Sequence, residues 1–171
     1  MPTTDKTIAT MHHKQKKKHK NIIIAVAICA SALLLSCTDN RVFHAYKSVD
    51  ANAWNKQDIV EFTVDSLQAT ANYQEAIGIR INNDYPFTTL NIIVEQTVYP
   101  SKQHFNDTID CRLIDEDGQK IGRGQSLWLT IHHLRDIQLT SKDSLVINLR
   151  HNMRRETLGG VTDIGVIIEK K

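Results

Sequence analysis

Residues 88–99 read TTLNIIVEQTVY. Leu90, Ile92 and Val94 fall at every second position, and β-branched residues fill most of the rest. Side chains on an extended chain alternate between faces, so this pattern predicts a strand with one buried side. Pro100-Ser101-Lys102 ends it, since proline cannot donate to a ladder.

The same alternation recurs on both sides. Val60, Phe62 and Val64 are apolar and interleave with polar residues. Ile77, Ile79 and Ile81 share one face, and the cluster Asn82-Asn83-Asp84-Tyr85-Pro86 then makes a turn. Residues 107–114, DTIDCRLI, alternate again and lead into Asp115-Glu116-Asp117-Gly118, where Asp-Gly is a strong turn signal. Further strands are predicted through Leu127, Leu129 and Ile131, through Leu145, Ile147 and Leu149, and through Ile164, Val166 and Ile168. Short strands separated by turns, with no convincing helical period, predict an all-β fold. The expected architecture is an antiparallel β-sandwich of seven to eight strands, jelly-roll or Ig-like.

The N-terminal part has a different character. Residues 14–37 read KQKKKHKNIIIAVAICASALLLSC, a cationic run followed by an apolar run from Ile22 to Leu35. That order is a secretory signal peptide. The apolar run is shorter than the ~20 residues a membrane-spanning helix needs, and no polar face interrupts it as in an amphipathic helix. Leu34-Leu35-Ser36-Cys37 resembles the lipobox of bacterial lipoproteins, in which the cysteine is acylated and becomes the new N-terminus. Cys29 follows the bulky Ile28, and the apolar run continues past it, which leaves Cys37 as the lipidation site. The predicted organisation is a signal peptide over 1–36, a lipidated tether over 37–55 and a β-sandwich over 56–171.

Removing the signal changes the charge. Six of the 21 Lys and Arg residues and one of the 19 Asp and Glu residues precede Cys37, which leaves 15 basic against 18 acidic residues. No basic patch remains to suggest nucleic acid. Cys111 has no cysteine partner in the mature chain, and its alternation with Ile109 and Leu113 predicts a buried strand residue.

Catalytic patterns are missing from the sequence. His132 and His133 are adjacent on a predicted strand and point to opposite faces, so they do not share a metal; His151 lies on another strand. The acidic residues between Asp107 and Asp117 do not match the ligand spacing of an EF-hand, and a solvated turn is expected. There is no Gly-x-Ser-x-Gly elbow, and Gly122-Arg123-Gly124 lacks both a third glycine and a following helix. No enzyme, cofactor or small-molecule substrate is expected. Trp54, Tyr85, Trp128 and Arg154 are the candidate interaction surface, through aromatic contact or through the basic cluster Arg150, Arg154 and Arg155. A glycan-binding surface lipoprotein, using Trp54 and Trp128 as stacking platforms, is the alternative.

Several blocks together resemble the GldH family of gliding-motility-associated lipoproteins of Bacteroidetes. They are the lipobox at Cys37, Trp54 with Asp58 and Phe62, Ile79-Arg80 leading into Tyr85-Pro86 and Leu90, and Asp107-Thr108 before Asp117-Gly118. Arg150-His151-Asn152-Met153-Arg154 and Leu158-Gly159-Gly160-Val161-Thr162-Asp163-Ile164-Gly165 complete the set and are the most specific. The resemblance implies a non-enzymatic lipoprotein of the cell envelope, anchored to the outer membrane by its lipid and partnered by other envelope or gliding-motility proteins and the type IX secretion machinery. The charges of these residues lead us to expect that Arg80 and Arg154 pair with acids such as Asp163.

Overall fold

The computed structural model describes residues 40–171; the predicted signal peptide and Cys37 lie outside the described residues. Ten strands follow in chain order: β1 (Arg41–Ser48), β2 (Trp54–Asn55), β3 (Val60–Val64), β4 (Ala71–Ile81), β5 (Thr89–Tyr99), β6 (Gln103–Arg112), β7 (Trp128–Leu139), β8 (Ser144–His151), β9 (Thr157–Leu158) and β10 (Val161–Lys170). Eight of them form two four-stranded sheets, ordered β1-β10-β4-β7 and β3-β8-β5-β6, and β2 pairs with β9. Every strand pair is antiparallel. The predicted β-sandwich is present. Its strand order, with the chain crossing between sheets at almost every connection, is that of a jelly roll and not of an Ig-like domain.

The alternating residues supply the core. Leu90, Ile92, Val94 and Val98 of β5, Ile77, Ile79 and Ile81 of β4, Leu145, Ile147 and Leu149 of β8, and Ile164, Val166 and Ile168 of β10 all face inward and are buried. Cys111 is among them, and burial pushes its thiol up to about 12, so it packs as a small apolar residue.

Two expectations need correction. The stretch assigned to a tether, 37–55, supplies β1 and β2. Strand β1 pairs with β10 from Arg41 opposite Glu169 to Ser48 opposite Asp163. Only Phe43 and Ala45 pack inward against the core, so this edge strand lacks the apolar alternation that marks the others. The sandwich therefore begins at about Arg41 rather than at residue 56.

In β7 the predicted buried face, Leu127, Leu129 and Ile131, points out. Ile77, Ile79 and Ile81 lie opposite His132, Thr130 and Trp128, and directly paired residues share a face. Ile131 is 59% exposed as a result. A register shift opposite Glu75 and Ala76 inserts one extra residue into β7, Leu134. Beyond it Ile137 and Leu139 return to the inner phase. One bulge reverses which alternate residues are buried.

The two long sides of the sandwich close differently. On the β1–β3 side, Phe43 meets Phe62 edge to face, with ring centroids 6.5 Å apart. On the β6–β7 side the closure is ionic. Arg135 pairs with Glu75 at 3.3 Å and with Asp107, and its guanidinium stacks 4.4 Å from the Phe105 centroid. Gln96 of the opposite sheet donates to Glu75 at 2.9 Å. Burial raises the Glu75 carboxyl above its ordinary range, against the lowering effect of Gln96 and Arg135.

Candidate interaction surface

The strand registers sort the connections into two groups. Residues 49–59, 82–88, 113–127 and 152–160 all lie at one end of the sandwich, where Ser48, Asp163, Arg80 and Leu129 line up across the first sheet. Among the described residues, the opposite end has the short connections 65–70, 100–102 and 140–143, together with Asn40 and Lys171. Long loops on a rigid scaffold are where recognition residues concentrate.

The long-loop end is internally braced. Trp54 and Leu158 face each other in the β2–β9 pair, and both are buried. The Trp54 indole stands edge-on to the His151 ring, centroids 5.0 Å apart. Gly160 takes φ +89, and a Cβ there would come within 2.3 Å of the Tyr85 backbone nitrogen, so only glycine lets loops 152–160 and 82–88 meet. The Asn82 amide donates to the Gly160 carbonyl at 2.9 Å, and the Gly160 amide to Ala51 at 2.7 Å. The turn predicted at Asp115–Gly118 is present: Asp115 Oδ1 accepts from the amides of Asp117 and Gln119, and Gly118 has φ +77.

Four residues were expected at the surface, and they divide. Trp54 and Tyr85 are 1% and 2% exposed and belong to the core. They bury because the tight β2–β9 and Gly160 contacts fold their loops inward. Tyr85 keeps its hydroxyl satisfied by donating to the Thr89 carbonyl at 2.8 Å. Trp128 is half-buried, with the Lys120 ammonium 4.7 Å from its ring centroid. Arg154 is exposed and makes no ion pair among the described residues. Trp54 and Trp128 thus do not form the open aromatic platform that sugar stacking requires.

Arg154 lies beside features that alternation does not reveal. With Arg155, Asn152, Met153 and Phe87 it lines a hollow of about 400 Å³. Arg155 sits over the Phe87 ring at 5.6 Å, and Phe87 is in turn held edge to face by Tyr85 at 5.8 Å. Lys56 donates to the Met153 carbonyl at 3.2 Å and fixes the floor. Ile59, Leu127 and Ile131 add exposed apolar area at or next to this end. The exposure of Ile131 is set by the register of β7 on β4 and has no signal in the sequence.

Arg80 pairs with Asp163 as expected, at 3.0 Å, whereas Arg154 does not. Asp163 is buried enough to raise its carboxyl, but hydrogen bonds from Ser48, Thr162 and Arg80 hold it below the usual carboxylate range. Tyr46 lies across Gly78 and Gly165 beneath Arg80, which makes this a structural brace on the outer face of the first sheet. His132 and His133 point to opposite faces, and no group of three metal-ligating side chains exists among the described residues.

The structure thus defines a jelly-roll domain with a braced loop end, where an arginine without an ion pair among the described residues lines an apolar hollow. The chain belongs to the GldH lipoprotein family, whose description matches residues 41–168. It is 32% identical over 155 residues to the gliding motility lipoprotein GldH of Flavobacterium johnsoniae, spanning 85% of this chain and 95% of that protein. It is 27% identical over 160 residues to a GldH homolog of Christiangramia forsetii, covering 86% and 94% of the two chains. Among solved structures, a family GH115 4-O-methyl-α-glucuronidase superposes with a TM-score of 0.41 at 12% identity, over 79% of this chain and 18% of that one. A family 35 carbohydrate binding module from Clostridium thermocellum superposes with a TM-score of 0.37 at 11% identity, over 73% and 89%. Likenesses this distant carry no functional argument.

Proposed function

We propose that this protein is a non-enzymatic envelope lipoprotein, held at the outer membrane by a lipid on Cys37, whose long-loop end binds other envelope proteins in gliding motility or type IX secretion. The observation that carries this reading is the match to the gliding motility lipoprotein GldH over 95% of that protein's length. The geometry supports a contact role at Arg154 and its hollow. A multiply acylated cysteine anchors stably because each buried CH₂ contributes about 0.8 kcal/mol. A role in secretion does not require that the cell move.

The test is deletion of the gene and complementation with wild type, Cys37→Ala and Arg154→Glu. Loss of surface spreading or of type IX cargo secretion, restored by wild type alone, supports the reading. Normal processing and membrane retention of the Cys37→Ala protein would refute the lipid anchor. Full rescue by Arg154→Glu would refute the assigned surface.

A further inference from the structure

The end of the sandwich opposite the long loops has its own composition. Asn40 and Lys171 both lie there, as do the connections 65–70, 100–102 and 140–143. Backbone bonds tie this end together: the Leu67 amide donates to Asp143 at 2.9 Å and the Lys170 amide to Asn40 at 2.8 Å. Two large apolar side chains are exposed on it, Val42 at 44% and Tyr99 at 42%. Lys102, Lys142 and Lys170 make no ion pair among the described residues. Of the carboxylates nearby, Asp136 is paired with Lys171 at 2.5 Å, whereas Asp65, Asp143 and Glu169 make no ion pair among the described residues, Asp143 accepting from the Thr140 amide at 2.8 Å. A cleft of about 500 Å³, lined by Val42, Phe43, Val64, Leu67 and Tyr73 with Lys170 at its rim, opens at the same end.

Chain length then fixes which end meets the lipid. Cys37 precedes Asn40 by three residues, and three extended residues reach about 10 Å at most. We infer that the short-loop end is a lipid-facing surface, which rests on anionic headgroups through Tyr99, Lys102, Lys142 and Lys170. This rests on the lipid anchor proposed above and adds the orientation it imposes. Tyrosine places an apolar ring and a polar hydroxyl at a membrane interface, and unpaired lysines meet the negative headgroup layer. The 11-residue strands β4 and β5 then hold Arg154 and the long loops roughly 35 Å away, at ~3.3 Å per residue. The partner surface faces away from the membrane.

The chain carries its own control, because Trp54 and Trp128 both sit at the far end. The mature lipoprotein and its Tyr99→Trp variant are reconstituted in vesicles of phosphatidylcholine with a third of phosphatidylglycerol. A headgroup spin label serves as quencher. The added emission of the Tyr99→Trp protein is expected to be quenched, while the native tryptophans are not. Reversing Lys102, Lys142 and Lys170 to Glu in that background should at least halve the quenching, as should raising salt to about 0.5 M. Equal quenching of the native tryptophans, an unquenched residue at position 99, or indifference to the charge reversals would overturn the proposal. The mass of the mature protein separates the two readings. An unlipidated Cys37 overturns both the anchor and the orientation, whereas a lipidated protein with the wrong quenching pattern overturns the orientation alone.

Discussion

His151 donates from Nε2 to the carbonyl of Trp54, 3.2 Å away, and so ties the end of β8 to β2. A carbonyl can only accept, which assigns the proton to that nitrogen. The other ring nitrogen, Nδ1, accepts from the Met153 amide at 3.4 Å. The ring is fully buried and neutral, and it holds three segments of the candidate surface in register.

Acid should loosen this brace. Burial, with the nearby Lys56 charge, lowers the His151 pKa below its ordinary 6.5, against the raising effect of its backbone partners. Between the folded value and 6.5 the unfolded chain binds the proton and the folded chain does not. Stability from this group is therefore complete above about pH 6.5 and declines as pH falls toward the lower folded pKa. His132 is also lowered by burial and acts in the same direction. Melting curves from pH 8 to 5 should show a shallower slope for His151→Phe than for wild type. That variant should also lose about 1–3 kcal/mol at pH 8, because a buried carbonyl or amide is left without its partner.

Trp54 and Arg154 should separate core from contact. Trp54→Ala empties a fully buried site and should cost about 3–5 kcal/mol in urea unfolding. Arg154→Ala removes an exposed, unpaired cation and should stay within about 0.5 kcal/mol of wild type. If the long-loop end is the partner surface, crosslinking yields in the native envelope fall for Arg154→Ala despite its unchanged stability.

Two glycines with positive φ offer a matched comparison. Gly118→Ala meets nothing within 4 Å and should cost only the left-handed backbone preference, about 1–2 kcal/mol. Gly160→Ala adds a collision with the Tyr85 backbone, worth about 1–3 kcal/mol more. Parallel denaturant titrations check the order, and equal losses would mean that the two loops separate at little cost.

The ionic closure between β6 and β7 should be asymmetric to mutation. Arg135→Met leaves Glu75 buried beside Gln96 without its cation and should cost about 3–5 kcal/mol at pH 7. Glu75→Gln should cost less, since no buried charge remains unpaired. Because the Glu75 pKa is raised above its ordinary 4.5, its effect on stability declines as pH rises from 4.5 through the folded value. The Glu75→Gln variant should lack that decline in melting experiments over the same range.

Much of the sandwich was legible in the chain because strand alternation is a local property. Phe62, Ile79, Ile92 and Ile147 announce their buried faces within five or six residues of sequence. Strand β1 escaped because an edge strand needs little apolar surface, and its partner β10 lies more than a hundred residues away. The faces of β7 were misread because a bulge at Leu134 changes the phase of the alternation and leaves no mark on residue type.

The candidate surface was legible in part. Arg154 stands exposed, as its charge suggests, whereas Trp54 and Tyr85 were drawn into the core by contacts made across loops. Aromatic residues suit both settings, and only packing chooses between them.

From sequence alone came the all-β class, the buried faces of most strands, and the family resemblance. Each depends on the order of neighbouring residues. The tertiary structure decided the jelly-roll order, the burial of Trp54 and Tyr85, and the gathering of the four long loops at the end away from Asn40. Those depend on which distant strands pair and in what register, and hydrogen bonds between backbones carry no imprint in the residues that make them.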